Sequence, residues 1–90
     1  MNFRISEDLE HELQKICQKD KKLFELIRKQ LRLFQSDSKH PSLRNHKLKG
    51  SQREVWSISI NRSIRAVYQI TEAGEAYFFD MGTHDEVYKK

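Results

Sequence analysis

Arg65 stands in the middle of an otherwise apolar run, Ile64-Arg65-Ala66-Val67-Tyr68. A guanidinium there is costly unless it meets solvent or an anion. His84 stands just beyond a strand-ending glycine, Gly82, with Asp85, Glu86 and Tyr88 close behind. Upstream, the stretch from Ser38 to Arg53 carries Lys39, Arg44, Lys47, Lys49 and Arg53 with no carboxylate, plus His40 and His46. That is a local positive field, suited to a phosphate backbone or to an acidic protein surface by the same Coulombic argument, and equally readable as a solvated basic loop. Alone, each residue is ordinary: arginine snorkels, and a tail histidine is usually a surface residue. Their placement on successive strands would bring them together near the basic stretch.

Were that face to receive RNA, the 2′-hydroxyl beside every phosphate would be a built-in nucleophile. Cleavage then needs a base for its proton, a cation for the added phosphate charge and an acid for the leaving oxygen, but no metal. Histidine titrates near neutrality, arginine makes forked hydrogen bonds to phosphate, lysines add charge, and tyrosine brings a hydroxyl and a stacking ring. His84, Arg65 and Tyr88 fit the reacting roles. Lys47, Lys49, His46, Arg44, Arg53 and Arg62 fit RNA contacts. Histidines at 11, 40, 46 and 84 show no HExxH and no paired i, i+4 spacing, so no metal site is expected. The glycines, Gly50, Gly74 and Gly82, form no phosphate-cradling loop, and no cofactor is expected.

Ninety residues bound the chain to one domain, 1–90, and exclude a two-domain enzyme. Hydrophobic residues make up 37% and charged residues 33%, so folding must rest on periodic placement of the apolar ones. Cys17, the lone cysteine, can supply neither a disulfide nor a thiolate zinc site and reads as a packed residue. No run is long enough to span a membrane, and Met1-Asn2-Phe3-Arg4 lacks the apolar stretch of a signal peptide, so a cytoplasmic location is expected. The net charge of +4 is uneven: residues 1–53 carry an excess of basic groups and residues 54–90 an excess of acidic ones.

Asn2–Ile5 reads as an edge strand. Ser6 is an N-cap, and Leu9, Leu13 and Ile16 share one face of a helix running to about Lys19. Asp20 is a candidate cap for a second helix carrying Leu23, Ile27, Leu31 and Phe34, although no glycine or proline separates the segments and one long helix fits equally. Pro41 ends helical structure. After Gly50 the period becomes two: Trp56, Ile58 and Ile60, a connection at Asn61-Arg62-Ser63, then Ile64, Ala66, Tyr68 and Ile70. A hairpin there opposes Ser59 to Arg65, giving one apolar face covered by helices and one face with Ser57, Ser59, Arg65 and Gln69 open to solvent. Glu75–Met81 reads as a third strand, ended by Gly82, with Thr83–Tyr88 at the sheet's rim. The expected class is α+β, an N-terminal strand and helical hairpin packed on a C-terminal antiparallel β-sheet.

With these residues in place, the chain resembles the RelE/ParE superfamily of type II toxins, and within it the ribosome-dependent mRNA interferases. The resemblance covers nearly the whole chain: the helical hairpin, HKLKG at His46–Gly50, VWSISINRSIRAVY at Val55–Tyr68 and GTHDEVY at Gly82–Tyr88. Arg65, three residues before Tyr68, matches the arginine that RelE and YoeB toxins use on the scissile phosphate. Gly82-Thr83-His84 is similar to the YafQ ending, whose histidine is catalytic, and Glu86-Val87-Tyr88 is similar to the RelE ending, whose tyrosine is catalytic. Lys47 and Lys49 fall where RelE-like toxins carry functional lysines. Ser59 and Ser63 replace the YafQ histidine and aspartate, and no YoeB-like glutamate base precedes the central strands, so the division of acid and base stays open. The resemblance implies the RelE-like microbial RNase fold and a metal-independent endoribonuclease cutting mRNA in the ribosomal A site. It also implies two partners, the ribosome and a neutralising cognate antitoxin. A ParE-like inhibitor of DNA gyrase and an inactive antitoxin-binding module are the alternatives.

Overall fold

Two side-chain caps decide where the helices begin. The computed structural model describes residues 1–48 and 54–88. After strand β1 (Phe3–Ile5), Ser6 Oγ accepts from the Leu9 amide at 3.1 Å and opens α1 (Glu7–Lys19), with Glu7, Asp8 and Glu10 against the positive end of its dipole. Asp20 serves both helices. Its amide donates to Ile16 O, closing α1, and its carboxylate accepts from the Leu23 amide at 3.1 Å, opening α2 (Lys21–Ser36). A single extended residue therefore breaks what the sequence also allowed as one helix. Cys17 is only partly buried.

Beyond α2 the basic stretch is more structured than a loop. Pro41–Leu43 form a 3₁₀ turn whose Leu43 is fully buried, and Arg44 follows in the left-handed region at φ 45°. His46–Lys47 then make an edge strand, β2. Strands β3 (Val55–Ser59), β4 (Ile64–Ile70) and β5 (Ala76–Thr83) form the expected meander, with Asn61 Oδ1 accepting from the Ser63 and Ile64 amides in the first connection. The sheet order is β1-β5-β4-β3-β2, and β1 runs parallel to β5. The sheet is thus mixed and five-stranded rather than purely antiparallel. A bulge between Val67 and Tyr68 of β4 and the facing residues of β5 leaves Phe79 out of register, which keeps Phe78 on the helix side.

The register Ser59↔Arg65 is as the hairpin predicts, and Trp56, Ile58, Ala66, Tyr68 and Phe78 face α1 and α2. Phe34 is completely buried among the rings of Phe3, Tyr68 and Phe78, at centroid distances of 6.5, 5.1 and 5.2 Å. The opposite face departs from expectation. It is not open, because Leu48, Val55, Val67 and Val87 form a second apolar cluster with Phe79 beside them. Val87 comes from a short helix, α3 (His84–Tyr88), where a rim tail was expected. The helix starts at a reciprocal cap: Thr83 Oγ1 accepts from the Glu86 amide at 3.3 Å, and Glu86 Oε1 accepts from the Thr83 amide at 2.8 Å. Strand β5 runs through Gly82 rather than stopping there, and a Cβ at Gly82 would sit 3.2 Å from Glu86 Cβ. No helix among the described residues is long and apolar enough to cross a membrane.

Phe34→Ala removes the ring about which both layers pack. We expect a loss of about 3–5 kcal/mol in urea unfolding at unchanged secondary structure; a loss below 1 kcal/mol would mean that the site collapses and that Phe34 is not the centre of the core.

Candidate active site

Arg65 lies on the face away from the main helices, and only 9% of it is exposed. Its guanidinium is held along one edge. Nε donates to Ser57 Oγ at 2.8 Å, and Nη2 donates to Arg44 O at 2.8 Å and to Ser57 O at 3.2 Å. Ser57, itself fully buried, is the diagonal neighbour of Arg65 across the β3–β4 pair, whereas the directly opposed Ser59 turns its hydroxyl to Asn61 O at 2.9 Å. The left-handed backbone at Arg44 aims its carbonyl at the cation, so the turn and the strand pair jointly fix the arginine.

His46 pairs with Ser57 in register and therefore shares the Arg65 face. Its Nδ1 lies 2.8 Å from Arg44 O and 3.3 Å from Arg65 Nη2. The two Nη2 hydrogens are taken by two carbonyls, and a lone pair on Nδ1 would face the Arg44 carbonyl lone pairs at close range. Nδ1 is thus the protonated nitrogen, donating to Arg44 O, and in the neutral ring Nε2 carries the lone pair. His84 approaches from the other side. Arg65 pairs with Gly82, so His84, two residues on, leaves the strand on the same face, with Nδ1 at 3.8 Å from Asp85 Oδ1. Arg65 and His84 line one groove of about 730 Å³, together with Arg44, Arg62, Ser59 and Gln30. The buried Gln30 amide donates to Ser59 O at 2.9 Å and ties α2 to the groove floor.

Of the residues singled out by sequence, Arg65, His84, Arg44 and Arg62 line the groove together, and His46 adjoins it through Arg44 and Arg65 without lining it. Lys47 does not join them: strand alternation puts it with Trp56 on the opposite face, where its ammonium sits 3.7 Å from Glu54. Tyr88 ends α3, but its side chain, like Lys49 and Arg53, lies outside the described residues. Sequence reading treated His46 as an RNA contact and placed Ser57 on the Arg65 face as an open residue, not as the arginine's buried anchor. A diagonal serine beside a strand arginine was the available signal for the latter. Among the described residues no group of three His, Cys, Asp or Glu side chains could hold a metal ion. Tyr68, on the helix side, donates its hydroxyl to Asn45 Oδ1 at 2.8 Å; burial pushes its pKa above the ordinary 10.0, with the Asn45 bond opposing that shift more weakly.

No protein-family model and no curated protein matches the sequence. Solved structures do. A YoeB/ParE toxin from Agrobacterium tumefaciens superposes with a TM-score of 0.75 at 18% identity, over 93% of this chain and 99% of that one. YoeB from Staphylococcus aureus, solved as a dimer, gives 0.70 at 22% identity over 93% and 97%. YafQ from E. coli gives 0.71 at 16% identity over 97% of each chain. The Staphylococcus YoeB is also solved as a YoeB-YefM complex. At these identities the likeness is one of fold: the chain has the α+β fold of the RelE-like toxins.

Two expectations follow from this geometry. Ser57→Ala leaves a buried guanidinium Nε–H without its acceptor, which should cost about 1–3 kcal/mol of stability by denaturant titration, with Ser57→Thr closer to wild type; equal stability of all three chains would remove Ser57 as the anchor. Tyr68, with its folded pKa raised, destabilises the fold only when it must ionise: the contribution is absent below pH 10 and stability falls as pH rises past it. Tyrosinate absorbance of wild type against Tyr68→Phe should show this titration above the ordinary value, and a normal titration would contradict the burial.

Proposed function

We propose that the chain is the toxin of a type II toxin-antitoxin system, an endoribonuclease that cuts mRNA in the ribosomal A site in the cytoplasm and is silenced by a cognate antitoxin. The observation that carries the reading is a buried, edge-anchored guanidinium and an imidazole, Arg65 and His84, lining one groove. The fold shared with YoeB and YafQ toxins supports it, and the YoeB-YefM complex supports a protein partner.

The chemistry balances without a metal. A scissile phosphate in the groove is met by Arg65, whose held edge leaves the ion rigidly placed before substrate arrives. One imidazole takes the 2′-hydroxyl proton, and the freed oxygen attacks the adjacent phosphorus. The P–O5′ bond breaks, and the second imidazole, protonated at the start, delivers its proton to the leaving oxygen. The products are a 2′,3′-cyclic phosphate and a 5′-hydroxyl end. His84 and His46, on opposite sides of Arg65, share the two transfers, with the His46 ring held at Nδ1 by the Arg44 carbonyl. Arg44 and Arg62 on the groove walls, with Lys49 and Arg53 in the adjoining stretch of sequence, supply the field that draws RNA in. Tyr88 completes the set as a positioning or proton-transfer group.

The test is cleavage of a defined message by primer extension in a reconstituted translation reaction, with and without ribosomes. Wild type should cut within the A-site codon, and His84→Gln should lower kcat about 10²- to 10⁴-fold with little change in KM. Growth arrest with intact transcripts would overturn the nuclease reading. Arrest that survives His84→Gln and brings DNA damage would instead favour the gyrase alternative.

A further inference from the structure

Across the Pro41–Leu43 turn from the groove lies a second depression of about 560 Å³, walled by Met1, Pro41, Trp56, Tyr68 and Ile70. Its size falls in the range of roughly 300–1,000 Å³ typical of small-ligand pockets. Ile70 and Met1 are each 40% exposed, and both are among the few large apolar residues left at the surface.

The polar groups inside are already engaged with one another. The Tyr68 hydroxyl donates to Asn45 Oδ1, the Asn45 amide donates to Ser38 O at 2.9 Å, and the Met1 ammonium donates to Gln35 O at 2.6 Å. Few hydrogen-bonding groups remain to read the edge of a nucleobase, so the walls favour an apolar occupant over RNA. The rim is basic. Lys39, His40 and Arg44 border the opening, none of the ion pairs among the described residues involves Lys39 or Arg44, and no carboxylate lies in the sequence between Ser38 and Arg53. An apolar hollow inside a positive rim is complementary to a bulky side chain flanked by carboxylates.

We propose that this pocket docks one bulky apolar side chain, aromatic or branched aliphatic, carried by an acidic segment of a partner protein. The proposal deepens the antitoxin reading by giving the partner's point of contact, and it rests on that reading for the partner's identity alone.

The experiment pans a displayed library of random short peptides on the full-length chain. Enriched peptides should pair a large apolar residue with neighbouring Asp or Glu. They should bind Ile70→Lys and Lys39→Glu chains about tenfold or more weakly by fluorescence anisotropy, with circular dichroism unchanged. Message cleavage by Ile70→Lys should stay at the wild-type rate, because Ile70 does not border the groove. Three results overturn the proposal: enriched peptides that ignore both substitutions; displacement of the peptides by an RNA oligonucleotide that loses affinity for Ile70→Lys, which gives the pocket to RNA; and a dimer in sedimentation that Ile70→Lys abolishes, which gives it to a second copy. A chain that selects acidic, apolar peptides yet cuts no message would refute the nuclease reading and leave the docking site standing.

Discussion

A guanidinium cannot be buried in a sheet without acceptors, and the face around Arg65 is organised by that requirement. Ser57 supplies its hydroxyl and carbonyl to Arg65, and the backbone of Arg44 a further carbonyl. Each implies something further. A serine at 57 must be fully buried to receive Nε, which fixes the β3–β4 register. The Arg44 carbonyl must point inward, which places a non-glycine residue in the left-handed region after the 3₁₀ turn. The turn is in turn pinned by the buried Leu43. The same carbonyl accepts from His46 and so sets that ring's tautomer. One cation therefore positions a histidine, a turn and an edge strand, and the groove is what remains between them and His84.

The position of His84 has a separate origin. Gly82 lets β5 pass close beneath α3, where a side chain would crowd Glu86, and Glu86 returns a hydrogen bond to Thr83. Val87 drops into the cluster of Leu48, Val55 and Val67, so a five-residue helix that would be unstable alone is held by apolar contact and a reciprocal cap. Glu86 is thus a structural carboxylate, and Asp85 is the acid beside the histidine. The small cluster covers part of this face with apolar side chains, while Arg65 and His84 line the groove beside it.

What the sequence made legible was whatever had a local period or a local cap. Ser6, the helical faces of α1 and α2, the Asn61 turn and the Ser59↔Arg65 register were all readable from spacing, because neighbours along the chain determine them. The nearness of Arg65 and His84, which line one groove, was readable from the succession of the meander strands. The parallel addition of β1 was not readable, since three residues carry too little pattern to name a partner 73 positions away. Strand β2 was hidden by its charge: His46 and Lys47 look like solvated loop, and they are a strand only because Ser57 and Trp56 offer an edge. The open face was misjudged because its cover, Val87, lies in a tail whose period is too short to read. The TxxE cap at Thr83–Glu86 was the signal present there.

The basic run between Ser38 and Arg53 now has a sharper meaning than a general attraction for anions. The Pro41–Leu43 turn divides it, and Pro41 and Arg44 border both depressions. One side offers a fixed arginine and polar walls, suited to a phosphate that must be held and cut. The other offers an apolar hollow with its hydrogen bonds internally satisfied, suited to a side chain that must only be held. A common field serves both, because the Debye length of about 8 Å at physiological salt spans a single turn of chain. Carboxylates lying across the second pocket would therefore lower the positive potential at the first without entering it. On the function proposed above, a bound acidic segment would oppose RNA by charge as well as by bulk, through the same surface that would recruit it.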